Sequence, residues 1–209
     1  MTDNEIILKI VQGDRDLFRK LVERYQHMVF RTCMGFLHNK DDADDLAQDI
    51  FIQVYQTLPG FKGDASFSTW IYRIAVNASL NKIRKSSKNS FIQRMETVFG
   101  VDKNQEVSFQ IPDHESPENI LISNEHRELV QKALNSLPEN QRTAIVLSKY
   151  DDLSQKEIAA IMNTTEGAVE ALIQRAKANL REKLSSLKKK NSKNTVGKIV
   201  VLFLTFKVN

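Results

Sequence analysis

Residues Ser154 to Leu180, SQKEIAAIMNTTEGAVEALIQRAKANL, fit two helices and a tight turn into 27 positions. Few arrangements other than a packed helical pair satisfy that spacing. Ser154 can cap the first helix, and Glu157 three positions on can reach back to the cap's own N–H, which sets where the helix begins. Ile158, Ile161 and Met162 form its inner stripe, and small Ala159 suits a close crossing. Asn163 and Thr164 supply turn chemistry, with Thr164 as the expected cap of a second helix whose apolar set is Val169, Leu172, Ile173, Ala176 and Leu180. Its other face carries Glu170, Ala171, Gln174, Arg175, Ala178 and Arg181. The layout suits a helix-turn-helix reader of duplex DNA, and spacing alone suits a plain core hairpin equally well.

Charge separates the two readings. From Ala171 to the C-terminus there are ten Lys or Arg against one acid, Glu182, in a chain whose net charge is only +4, so the basic character is local. A second concentration comprises Lys62, Arg73, Lys82, Arg84, Lys85, Lys88 and Arg94 against Asp64, interleaved with Phe67, Trp70 and Tyr72. Two separated basic surfaces suit two stretches of phosphate backbone. For the run Lys188 to Lys190 taken alone, a solvated face is the better reading.

The rest of the chain predicts an all-α protein. Long 3.6-residue periods dominate, alternating stretches are rare, and seven Gly and four Pro in 209 residues leave few breaks. An opening helix, Glu5 to Gln12, ends at Gly13. Phe18, Leu21, Val22, Tyr25, Val29, Phe30, Cys33, Phe36 and Leu37 continue one face to a break at His38 to Lys40. Asp41 to Leu58 follows, its early acids favouring a helix N-terminus, until Pro59 and Gly60 stop it. Ser66 can cap a third long helix reaching about Lys85. These segments make a first domain of residues 1–88. Residues 89–114 read as a partly irregular linker with isolated Phe91, Phe99 and Phe109. A second domain, 115–187, opens on Ser116 as cap with Pro117 at the first helical position, breaks at Leu137 and Pro138, and passes through a helix Glu139 to Tyr150 into the helix-turn-helix. The expected fold is therefore two small helical domains, the second a helix-turn-helix domain, followed by a tail, 188–209.

With these segments placed, the chain resembles the bacterial RNA polymerase sigma factors of the extracytoplasmic-function group, over nearly its whole length to about Leu187. FKGDASFSTWIYRIAVN at Phe61 to Asn77, DADDLAQDIF at Asp42 to Phe51, SPEN at Ser116 to Asn119, SLPENQR at Ser136 to Arg142 and AIMNTTEGAVE at Ala160 to Glu170 carry the resemblance, in order. The resemblance implies a protein that binds core RNA polymerase and directs promoter-specific initiation. Its acidic helix would grip the clamp of the largest polymerase subunit through Asp45, Gln48, Asp49 and Gln53. Carboxylates beside an apolar stripe suit a basic partner; Asp41 and Asp42 read better as a solvated helix N-terminus.

The same resemblance places the loop from Phe61 and the helix after it on the melted proximal (−10) promoter box. Asp64, Ser66 and Asn77 would read an unstacked base, Phe67, Trp70 and Tyr72 would stack or fill core, and Arg73, Lys82 and Arg84 would meet phosphates. The distal (−35) box would be read as duplex by Thr164, Thr165, Gly167, Glu170, Ala171, Gln174, Arg175 and Lys177. Here the chain departs from its family, which commonly carries Arg, Lys or Ser where Glu170 and Ala171 stand. Base preference therefore does not transfer. Glu170 can accept from a cytosine amino group but is repelled by phosphates, so it is expected to shift specificity more than affinity. The resemblance leaves room for an anti-sigma partner, free or membrane-bound, that no segment identifies.

No catalytic or metal constellation competes. His27, His38, His114 and His126 are scattered, and the Asp cluster near Asp41 lacks the glycine and spaced ligands of a calcium loop. No cofactor is expected, and the chain reads as a specificity factor, not an enzyme. Lone Cys33 and the short acidic N-terminus fit a cytoplasmic protein. Ile199 to Phe206 is apolar for eight residues, too short to span a membrane, where about 20 are needed. The tail is expected to be accessory. A stand-alone helix-turn-helix regulator is the alternative, and its usual ligand or receiver domain is not visible. A helical adaptor for acidic proteins would leave the basic and aromatic mixture around Trp70 unexplained.

Overall fold

The computed structural model describes residues 1–98 and 130–190, and side chains for 1–86 and 130–185. Among them there is no strand. Seven helices carry labels: α1 (Asp3–Val11), α2 (Phe18–Leu37), α3 (Lys40–Thr57), α4 (Phe67–Val98), α5 (Glu139–Tyr150), α6 (Gln155–Met162) and α7 (Glu166–Lys190). Residues 130–135 are also helical, ahead of α5. The expected cap at Ser116, most of the linker and the apolar tail lie outside the described residues.

Local chemistry sets the ends of the first three helices. Thr2 caps α1 in a reciprocal box with Glu5. His38 closes α2 in a left-handed conformation, φ 56°, and Asn39 then caps α3 by accepting from the Asp42 N–H at 2.9 Å. The break read at residues 38–40 is thus a two-residue corner that ends one helix and starts the next. Such corners leave only one efficient arrangement, in which α2 and α3 fold back and bury facing stripes. Leu21, Val29, Cys33 and Phe36 of α2 meet Ile50 and Val54 of α3 and Ile71 and Ala75 of α4, each at most 1% exposed. Ile6, Ile7 and Ile10 of α1 extend this core.

The helix α4 begins where Ser66 accepts from the Thr69 N–H at 3.1 Å. It runs on to Val98, beyond the end expected near Lys85. The physical reason is plain: SSKNSFIQRMETV contains neither Pro nor Gly, and weak periodicity does not by itself stop a helix.

In the second domain α5 buries six consecutive residues, Arg142 to Leu147. A one-sided amphipathic helix could not do that. It is sandwiched, with α7 on one side and α2 of the first domain on the other. The capping box at Ser154 and Glu157 forms as the spacing predicts. Asn163 ends α6 with φ 52°, and the Thr164 N–H donates to the Ala159 carbonyl at 3.0 Å. This corrects one expectation. Thr164 is used in closing α6, so the cap of α7 is Thr165, whose hydroxyl accepts from the Ala168 N–H at 3.2 Å.

Candidate nucleic-acid interface

The expected interface residues fall into three groups. On α3, Asp45, Gln48, Asp49 and Gln53 are all exposed, one helical face left open by the burial of Leu46, Ile50 and Val54. Ile52 stands among them at 57% exposed, giving the acidic face an apolar centre that charge-based reading passed over. Asp42 is engaged elsewhere, paired with Lys82 at 2.7 Å.

The second group surrounds the start of α4. Asp64, Ser66 and Asn77 are exposed. The aromatics divide by position. Phe67 is 2% exposed and sits edge-on to Tyr25 and Phe61, with ring centroids 5.2 and 5.8 Å away. Tyr72 is buried as well, beside Arg31 and Asp151, and desolvation pushes its phenol up to about 12. Trp70 keeps part of its surface accessible while packing on Phe61 and Phe67. Helical period cannot separate these roles, because all three follow one sequence stretch.

The cations of this group are occupied by the protein itself. Arg73 donates from Nη2 to the Ala160 carbonyl at 2.7 Å and from Nε to the Ile161 carbonyl at 3.2 Å. Arg84 makes a fork with Glu139, its Nε donating at 2.6 Å, which raises the arginine's pKa and lowers the glutamate's. Lys82 holds Asp42.

The third group is the helix-turn-helix. Thr164, Thr165, Gly167, Glu170, Gln174 and Arg175 are exposed, and Ala171 and Lys177 half-exposed. Space above Gly167 is open, so a backbone can approach there. Beneath this face Val169, Ile173, Ala176 and Leu180 anchor α7 against α5 and α6.

Several residues that matter to the site gave no sequence signal. Asp151 has a fully buried carboxylate that accepts from Thr32 Oγ1 at 2.9 Å and Arg31 Nε at 3.1 Å. Burial raises its pKa, against the pull of those two donors. Gly35 of α2 faces Val146 and Tyr150 of α5 so closely that an added Cβ would lie 2.8 Å from Val146 Cγ1 and 2.9 Å from Tyr150 Cγ. Both are contacts across long sequence separations, which no local pattern announces. Among the described residues no group of His, Cys, Asp or Glu could hold a metal ion, and no helix is long and apolar enough to cross a membrane.

Comparison with known proteins assigns the two halves. Residues 21–89 match sigma-70 region 2, and residues 127–180 match sigma-70 region 4. The ECF RNA polymerase sigma-E factor of Escherichia coli (strain K12) is 35% identical over 187 residues, covering 90% of this chain and 96% of that protein. The RNA polymerase sigma-H factor of Pseudomonas aeruginosa is 32% identical over 188 residues, covering 88% and 95% respectively. Among solved structures, CnrH in complex with the cytosolic domain of CnrY shares the fold with a TM-score of 0.58 at 23% identity, covering 88% of this chain and 97% of that one. RpoE of Bartonella quintana, in complex with the anti-sigma factor NepR, gives 0.52 at 21% identity, covering 80% and 96%. The all-helical, two-domain build with a helix-turn-helix is that of a sigma factor. The chain belongs to the ECF RNA polymerase sigma factor family.

Proposed function

We propose that this chain binds core RNA polymerase through the exposed face of α3, centred on Asp45, Asp49 and Ile52, and directs initiation at promoters with two boxes. The start of α4, with Asp64, Ser66, Asn77 and the accessible part of Trp70, reads the melted proximal box. The exposed face of α7 reads the distal box as duplex, with Gln174, Arg175 and Glu170 at base edges and Thr164, Thr165 and Lys177 at phosphates. One observation carries the reading: a single chain holds both sigma-70 regions in order, each with exposed polar residues on the element the reading requires. The solved relatives bound to CnrY and NepR support an anti-sigma partner for this chain as well.

Strand opening on this reading uses no hydrolysis by the chain. Captured bases and polymerase contacts offset an unstacking cost of roughly a few kcal/mol per step.

The test is selection of active promoters from a randomised duplex library transcribed by core polymerase with this protein. Two enriched boxes at fixed spacing are expected; transcripts without any enriched box would reject the reading. Glu170→Arg is expected to change the distal box while leaving the proximal one intact, because Glu170 is exposed on α7 and far in sequence from the α4 surface. The same distal box in both selections would remove Glu170 from base reading.

A further inference from the structure

We propose that α1 braces the loop between α3 and α4, with Asp3 as a positioning residue that acts through Tyr25 to hold the proximal-box reader in shape. The inference rests on the functional reading above and extends it to an element that lies ahead of residues 21–89, the stretch matching region 2.

Periodicity puts Asp3 on the inner side of its helix. Ile6, Ile7 and Ile10 are the buried stripe of α1, and Asp3 stands three, four and seven positions before them, at the head of that same stripe. Thr2 and Glu5 already form the capping box, so the start of the helix does not depend on the Asp3 carboxylate. That carboxylate meets α2 instead. One oxygen accepts from the Tyr25 hydroxyl at 2.5 Å and the other from the Arg24 guanidinium, which also donates to the Met1 carbonyl at 3.4 Å. Burial, reinforced by Asp3, raises the phenol's pKa, so the hydroxyl remains a donor across the ordinary pH range.

Tyr25 carries this tie to the reader. Its ring stands edge-on to Phe67 with centroids 5.2 Å apart, and Phe67 is the first residue of α4, directly after Ser66 and packed on Trp70. The other end of the loop meets α1 as well. There α1 packs against the single turn Leu58–Gly60, whose Leu58 carbonyl accepts from the Phe61 N–H at 3.0 Å. Between these two anchors Lys62, Gly63 and Asp64 are exposed, and Gly63 holds φ 78° with open space around it. The path of Asp64 and Ser66 is therefore set from the ends of the loop, and α1 holds both. Apolar packing tolerates small rotations of a ring, whereas a hydroxyl bonded to a carboxylate is directional, so the Asp3 bond fixes the seat that Tyr25 offers Phe67.

Tyr25→Phe deletes the hydroxyl and keeps the ring. Asp3→Ala deletes the acceptor, keeps a good helix former at that position and serves as an independent variant. Both are made in the full chain and assembled with core RNA polymerase, with thermal midpoints as the fold control. The quantity measured is affinity for two fluorescent non-template oligonucleotides, one carrying the proximal box that the parent selects and the other with its most strongly selected base replaced. Discrimination between the two is expected to fall roughly fivefold in each folded variant, the weight of about one hydrogen bond. Unchanged discrimination in both variants would overturn the proposal. Equal weakening on both oligonucleotides would overturn it too, because a merely structural tie lowers affinity without changing the preference between bases. A parent that selects no proximal box would reject the functional reading and this inference with it; a discriminating parent with unchanged variants rejects the brace alone.

Discussion

Arg142→Ala should unfold the second domain and leave the first standing. Arg142 is 6% exposed, and its guanidinium closes the turn between helical residues 130–135 and α5. Nε donates to the Leu134 carbonyl at 3.0 Å, and Nη2 donates to those of Asn135 and Leu137 at 2.6 and 3.1 Å. A helix end leaves such carbonyls short of donors, and here only Leu134 also accepts a backbone N–H, that of Leu137 at 3.1 Å. Burial lowers the arginine's pKa, with Glu139 opposing, but a guanidinium stays charged at any ordinary pH. Alanine would leave the Leu137 carbonyl without its donor and Leu134 with only the Leu137 N–H, at about 1–3 kcal/mol for a buried group left unpaired, and would also remove the packing of the buried guanidinium. A total of about 3–5 kcal/mol rivals the entire stability of a domain this small, at roughly 0.05–0.15 kcal/mol per residue. Lysine should not rescue it, because one ammonium cannot reproduce a fork that spans three acceptors. Thermal unfolding followed by circular dichroism should lose the transition of the second domain in both variants. A melting profile matching the parent would show that the turn closes without this side chain.

Phe67→Ala should cost the first domain about 3–5 kcal/mol, the usual range for emptying a buried aromatic site. The ring is the first residue of α4 and the centre of an aromatic group with Tyr25, Phe61 and Trp70. Its loss would free the loop carrying Asp64 and Ser66 along with the Trp70 ring, so structure and promoter opening should fail together. Phe67→Leu refills much of the volume and should recover most of the stability. Urea unfolding midpoints of the two variants measure this directly. Equal midpoints for Phe67→Ala and the parent would place Phe67 outside the core.

The contrast between these residues shows what the amino-acid order could reveal. The caps at Ser154 and Ser66, the acidic start of α3 and the stop at Pro59 were legible, because each is decided within one turn of the chain by hydrogen bonds to near neighbours. The Thr165 cap was displaced by one residue because a left-handed Asn163 consumes an extra position in closing α6. The different burial of Phe67, Trp70 and Tyr72 was not legible, since each lies on a helix whose neighbours are chosen by tertiary packing. Gly35 and Asp151 were the least visible. A glycine within a helix and an acid in a loop become meaningful only when residues more than a hundred positions away close over them. On α3 the acidic face was legible, whereas Ile52 at its centre was not, because a reading based on carboxylates gives an apolar residue among them no role.

Promoter direction requires first that the chain join the polymerase, and co-elution of the purified protein with bacterial core RNA polymerase tests this claim most directly. It should be run beside an Asp45→Lys, Asp49→Lys variant, whose substitutions lie on the exposed face of α3 and leave the buried stripe untouched. Stoichiometric binding by the parent and its loss in the folded variant is the result this account predicts, since charge reversal at a complementary contact costs several kcal/mol. A folded parent, free of any inhibitor, that does not bind core polymerase would contradict it.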